Sequence, residues 1–127
     1  MSNELEDNSY YADYQVIHFH NRQDVFHLTS QILRDTAASH GEYCFFYRIL
    51  TDDTDAFNRD YGSFATIIPR TQVEADVYLN VDQASLQTLI RYIQTDSLMG
   101  CTLTSDLADL SYVFGLSALA TSLRELL

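Results

Sequence analysis

Four histidines, two cysteines and eighteen acidic residues are the groups in this 127-residue chain best suited to hold a metal or move a proton. Three of the histidines, His18, His20 and His27, flank the turn-forming run Asn21-Arg22-Gln23-Asp24. If Arg22 and Gln23 form the loop of a hairpin, strand alternation places all three on one face. Imidazoles so arranged bind zinc when an Asp or Cys completes the set. Zinc-site sequences normally show tighter paired spacing, which favours the plainer reading of a solvent-facing or partner-facing strand surface. Other chemistry finds less support. There is no G-x-S-x-G elbow, and no cysteine has a partner at recognisable spacing. Gly41, Gly62, Gly100 and Gly115 are too scattered to cradle a phosphate. The acidic run with Asp52, Asp53, Asp55 and Asp60 lacks both the D-x-D-x-D-G order of a calcium loop and its twelfth-position glutamate. Catalytic residues and cofactor-binding residues are therefore both expected to be none.

The elements that would position these groups follow from periodicity. Tyr14 to His20 and Val25 to Leu28 form the hairpin, and Phe19 opposite Phe26, Ile17 opposite Leu28 and His18 opposite His27 make one face apolar and the other histidine-rich. Thr29 or Ser30 caps a first helix that carries Ile32, Leu33 and Ala37 and ends near His40-Gly41. Tyr43, Phe46, Ile49 and Leu50 fall at helical spacing in a second. The polar, acidic stretch at about 51–62 reads as a loop, and Phe64 to Ile68 and Val77 to Val81 read as strands around a link that contains Pro69. Asp82 or Ser85 opens a helix bearing Leu86, Leu89, Ile90 and Ile93. Thr104 or Ser105 opens another, with Leu107, Leu110 and Phe114, which stops at Gly115. A last one starts at Ser117 and carries Leu119, Ala120, Leu123 and Leu126. The expectation is one α+β domain over 14–127 after an acidic, flexible tail at 1–13.

Seven basic residues against eighteen acidic ones give a net charge of −11, a field that repels nucleic acid and anionic membrane surfaces. No run approaches the roughly 20 apolar residues of a membrane-spanning helix. Met1 to Asp13 lacks the basic and apolar regions of a leader, and Cys44 and Cys101 form no disulfide framework, so an intracellular protein, cytoplasmic or nuclear, is expected. All seven basic residues are arginine, which leaves the α-amino group as the only ordinary amine open to ubiquitination. Nine tyrosines and seven phenylalanines exceed what a core of this size needs. Among Tyr10, Tyr11, Tyr14, Tyr43, Tyr47 and Tyr61 some must reach the surface and favour partner binding.

The segment Val77 to Leu98 carries a strand ending in Asp82, a helix with Leu86, Leu89, Ile90 and Tyr92, and a turn with Thr95 and Leu98. With the histidine hairpin upstream, Ile32-Leu33 and Phe46 after it, and Leu107-Ala108-Asp109-Leu110 with Phe114-Gly115-Leu116 and Leu119 downstream, it resembles the BTB/POZ family, most closely its short potassium-channel-tetramerisation type. Two departures are Asp96 in place of the family's glycine and Leu86 in place of its phenylalanine. The resemblance implies a BTB/POZ-like fold: an N-terminal β-hairpin and a small mixed sheet flanked by about five short helices. It also implies a non-catalytic module that self-associates or recruits a protein partner, a cullin scaffold of a ubiquitin ligase among the candidates. The positions it points to for partner binding are Phe45, Phe46, Tyr47, Leu86, Arg91 and Tyr92. The alternative function is a small metal-binding protein centred on His18, His20 and His27.

Overall fold

A computed structural model describes residues 14–22, 24–40 and 44–127. The expected tail at 1–13, with Tyr10 and Tyr11, lies outside the described residues, as do Gln23, Gly41 and Tyr43.

Val16–Asn21 (β1) and Asp24–Thr29 (β2) form the hairpin in the register that alternation predicts: Ile17 opposite Leu28, His18 opposite His27, Phe19 opposite Phe26. Arg22 turns the corner at φ 60°. Ser30–His40 (α1) follows, its first turn capped by Thr29 Oγ1, which accepts from Ile32 N at 3.3 Å. Phe45–Thr51 (α2) starts after Cys44.

The acidic segment is not the loop that its composition suggests. Thr54–Tyr61 forms a helix, α3. Asp53 Oδ1 accepts from Ala56 N at 2.7 Å at its N-cap, and Asp55 lies in the first turn, where the helix dipole favours a carboxylate. Phe57, fully buried, then holds the helix to the core. Arg48 of α2 fixes the corner by reaching Asp52 and Asp60, at 2.6 Å and 2.5 Å, and the Tyr61 hydroxyl at 3.1 Å. Burial opposes the Arg48 charge, but these hydrogen bonds outweigh it and push its pKa well above the ordinary value.

Ala65–Pro69 (β3) and Glu74–Leu79 (β4) are antiparallel, with Pro69 closing an edge strand. The sheet order is β2-β1-β4-β3, mixed because β4 lies parallel to β1. Gln83–Thr95 (α4) begins at Asp82, whose carboxylate caps Ser85, and ends at Asp96 in the left-handed region, φ 57°. Asp is one of the few non-glycine residues that visit this region routinely. Ser105–Val113 (α5) is capped by Thr104 and closed at Gly115, φ 79°. Gly115 N–H donates to Tyr112 O and Leu116 N–H to Ser111 O, a Schellman closure. Ser117–Leu126 (α6) completes the described chain, with Leu119, Ala120 and Leu123 buried and Leu126 exposed, not turned inward as its spacing suggests.

Six helices are thus present among the described residues, where about five were expected, and the class is α+β. The core joins the inner face of the sheet, led by Ile17, Phe19, Ala75 and Val77, to the helices. At its centre Phe45 stacks on Phe114 at 4.2 Å and meets Phe46, Phe57, Tyr61 and Phe64 within 6.0 Å. No helix among the described residues is long and apolar enough to cross a membrane.

Two substitutions check this packing. Phe26 is half-buried against the core and His27 is exposed, so Phe26→Asp should cost about 3 kcal/mol and His27→Asp about 1 kcal/mol or less by thermal melt. Equal losses would refute the register. Gly115→Val should cost more than about 1 kcal/mol, because a β-branched residue is disfavoured at φ 79°. An unchanged midpoint would mean that the Schellman closure does not end α5.

Candidate functional site

The polar face of the sheet is where the titratable groups gather. Alternation along β1 and β2 turns His18, His20 and His27 away from the core, and the parallel register sets Asp76 beside His18 and Tyr78 beside His20. The side chains then bond along diagonals. His20 Nε2 donates to Asp76 Oδ1 at 2.7 Å, and its ring stacks on Tyr78 at 4.5 Å. His18 Nε2 donates to Glu74 Oε1 at 2.7 Å, while His18 Nδ1 and His27 Nδ1 lie 2.6 Å apart. Only one proton fits between those two nitrogens. A neutral His18 accepts there from His27, and a protonated His18 donates instead, so the pair holds at most one charge while the bond is intact.

Arg70, just after β3, crosses onto this face. Its Nη2 reaches Asp76 Oδ1 at 2.6 Å and its Nε reaches Oδ2 at 3.1 Å, a bidentate pair, with Glu74 at 3.6 Å. Arg70, and His20 after it, hold the Asp76 carboxyl at about 2, against the upward pull of burial. Arg70 is therefore more than an exposed charge, and lysine, which has no fork, could not replace it.

The three histidines do not converge on a common point. His18 pairs with His27, and His20 turns to Asp76, so the ligand set of the metal-binding alternative is divided between two networks. No group of three or more His, Cys, Asp or Glu side chains among the described residues is arranged to hold a metal ion. Among the described residues no serine, threonine or cysteine side chain hydrogen-bonds into either network.

The positions that the resemblance points to are scattered. Phe45, Phe46 and Leu86 are fully buried, so they serve the core and present no surface to a partner. Their apolar type favoured burial from the start. Of the rest, Tyr92 lines a cleft of about 320 Å³ between α1 and the end of α4, beside His40 and Asp96. Burial lowers the pKa of His40 there, and Asp96 pulls the other way. Arg91 lines an open groove of about 630 Å³ between α4 and the approach to α5, and Tyr47 a shallow one of about 400 Å³ beside Arg34 and Ala37. Of the tyrosines expected at the surface, Tyr14 is buried, and Tyr47 and Tyr61 are half-buried. Sequence reasoning missed Glu74, Asp76 and Tyr78. Their alternation with Ala75 and Val77 was the available signal, hidden because Glu74 to Asp76 was assigned to a polar link.

Asp76 ties stability to pH in a definite direction. Its folded pKa is depressed from 3.8 to about 2, so the pairing stabilises the fold above the ordinary value and loses that contribution as pH falls towards 2. Asp76→Asn should cost about 1–3 kcal/mol at pH 7, and the gap from the parent should close between about pH 4 and pH 2. A gap independent of pH in thermal melts would refute the pairing.

No family model matches the chain. A protein of Acanthamoeba polyphaga mimivirus, described as uncharacterized protein R317, is 41% identical over 121 residues, 90% of this chain and 53% of that protein. The chain spans about half the length of this curated relative.

Proposed function

We propose that this chain is a non-catalytic protein-interaction module of the BTB/POZ kind that works by self-association. The observation that carries the reading is the one-sided cover of the sheet. The helices bury Ile17, Phe19, Ala75 and Val77, while Val25, His27, Thr29, Thr66, Ile68 and Tyr78 on the other face are all exposed. The reading takes the exposed Val25, Ile68 and Tyr78 as the apolar area that a partner would cover. Supporting the family side of the reading are the order of hairpin, short helices, strands and helical cluster, and the helix cap at Asp82 followed by buried Leu86, Leu89 and Ile90. The non-catalytic side is supported by the sheet face, where His18, His20 and His27 are spent on one another and on Glu74 and Asp76.

The narrower version, an adaptor on a cullin-type ubiquitin ligase, is supported by the absence of lysine. Its test is the cellular lifetime of Arg34→Lys and Arg59→Lys variants, both exposed positions. Shorter lifetimes with unchanged melting support it, and parental lifetimes remove it.

Self-association is read by sedimentation equilibrium on the full chain over a wide concentration range. The expected mass exceeds 14.5 kDa and falls on dilution. A 14.5 kDa monomer up to roughly 1 mM, where even weak specific pairing would register, would overturn the reading.

A further inference from the structure

We infer that the cleft between α1 and the end of α4 is a binding site for an organic cation, a guanidinium or primary ammonium on a short aliphatic stem. It lies on the helical side of the molecule and is independent of self-association. Its volume of about 320 Å³ is at the small end of the range for ligand sites, and the last residues of both helices line it. Each helix therefore brings the negative end of its dipole to the same place, equivalent to about half an elementary charge apiece. Two carboxylates, Asp35 and Asp96, add to that potential.

Among the described residues no cation neutralises it. The last turn of α4 holds no basic residue, and neither aspartate is in an ion pair. Arg34 and Arg91, the arginines of the two helices, line other grooves. His40 lines the cleft, but burial opposes charge on its ring, with Asp96 pulling the other way. Asp96 itself stands at a double disadvantage. The dipole repels a carboxylate at a helix C-terminus, and glycine adopts a φ of 57° at lower cost. A bound cation would offset the electrostatic part.

The rest of the lining favours an organic cation over a metal ion. No group of three or more His, Cys, Asp or Glu side chains among the described residues is arranged to hold a metal. Instead Tyr92 supplies an aromatic ring, near enough to Asp96 to feel its charge and 6.2 Å from the His40 ring between centroids. Ile32 and Ile93 give the walls an apolar part. An aromatic face attracts a cation, and the cation's stem covers apolar side chains. His40 Nδ1 has no hydrogen-bond partner, so the ring can turn to a ligand N–H without breaking a bond there.

The test is an NMR titration of the isotope-labelled full chain at about 0.15 M salt, which screens long-range attraction to a net charge of −11. Butylguanidinium and butylammonium stand for a free cation, and a blocked peptide with one central arginine stands for the side chain of another protein. The expected result is a set of shifts confined to the cleft, at Ile32, Ile93 and Asp96, with a dissociation constant of about 1 mM or tighter for at least one of them. A peptide that binds about tenfold tighter than butylguanidinium assigns the site to a protein side chain, and otherwise it belongs to a free cation. 1-Butanol, the stem without the charge, should leave the resonances in place. Asp96→Asn, which keeps a residue suited to φ 57°, and Asp35→Asn should each weaken binding about threefold or more. Asp55→Asn, the same loss of charge in the first turn of α3, should match the parent. If Asp96→Asn fails to fold in a thermal melt, Asp35→Asn carries the same reading. No shifts at the cleft with about 10 mM of any of the three cations, equal shifts with 1-butanol, or binding unchanged in both cleft variants would overturn the inference and leave self-association standing.

Discussion

The parallel pairing of β1 with β4 is the constraint on which both sides of this structure depend. It joins residues 16–20 to 74–78, and the same backbone ladder that buries Ile17, Phe19, Ala75 and Val77 on one side sets His18, His20, Asp76 and Tyr78 together on the other. A slip of one residue would invert both faces at once, sending imidazoles and carboxylates into the core. The hydrophobic burial therefore fixes the register, and the register fixes the ionic network. Hydrogen bonds within that network add to stability, and they make any competing register more costly.

The helical side is organised by a second, purely apolar arrangement. Phe45 donates its backbone N–H to Phe114 O at 2.8 Å while the two rings stack. One residue thus ties the start of α2 to the end of α5. The rings of Phe57, Tyr61 and Phe64 close around the same point, which is why the short α3 is held although its sequence is mostly polar. Arg48 completes the corner from outside the core, bonding Asp52 at the end of α2 and Asp60 and Tyr61 of α3.

What could be read from sequence follows the range of the interactions. The hairpin register was legible because both strands and their turn lie within 14 residues and each strand agrees with the other's alternation. The caps at Asp82 and Thr104 and the stop at Gly115 are local chemistry and were legible for the same reason. The carboxylate partners of His18 and His20 lie 56 residues away, and nothing near the histidines names them. The helix at Thr54–Tyr61 was missed because aspartates that cap a helix and occupy its first turn have the composition of a loop. The spacing of Phe57 and Tyr61, one helical turn apart, was the discriminating signal. Phe45, Phe46 and Leu86 show the converse error, in which positions suggested by resemblance for contact with a partner turned out to be occupied with the protein's own core.

The two neighbours of β1 must arrive on different schedules. Its bond to β2 closes through a tight turn, an event on the order of microseconds. Its bond to β4 waits until three helices and β3 have been gathered, a closure that is entropically slow. In the interval one edge of β1 is bare, carrying Ile17 and Phe19 beside unsatisfied backbone groups, and any β4 will fit it, including one from another nascent chain. That bare edge invites strand exchange while the fold is incomplete, and the net charge of −11, by keeping the chains apart, opposes it.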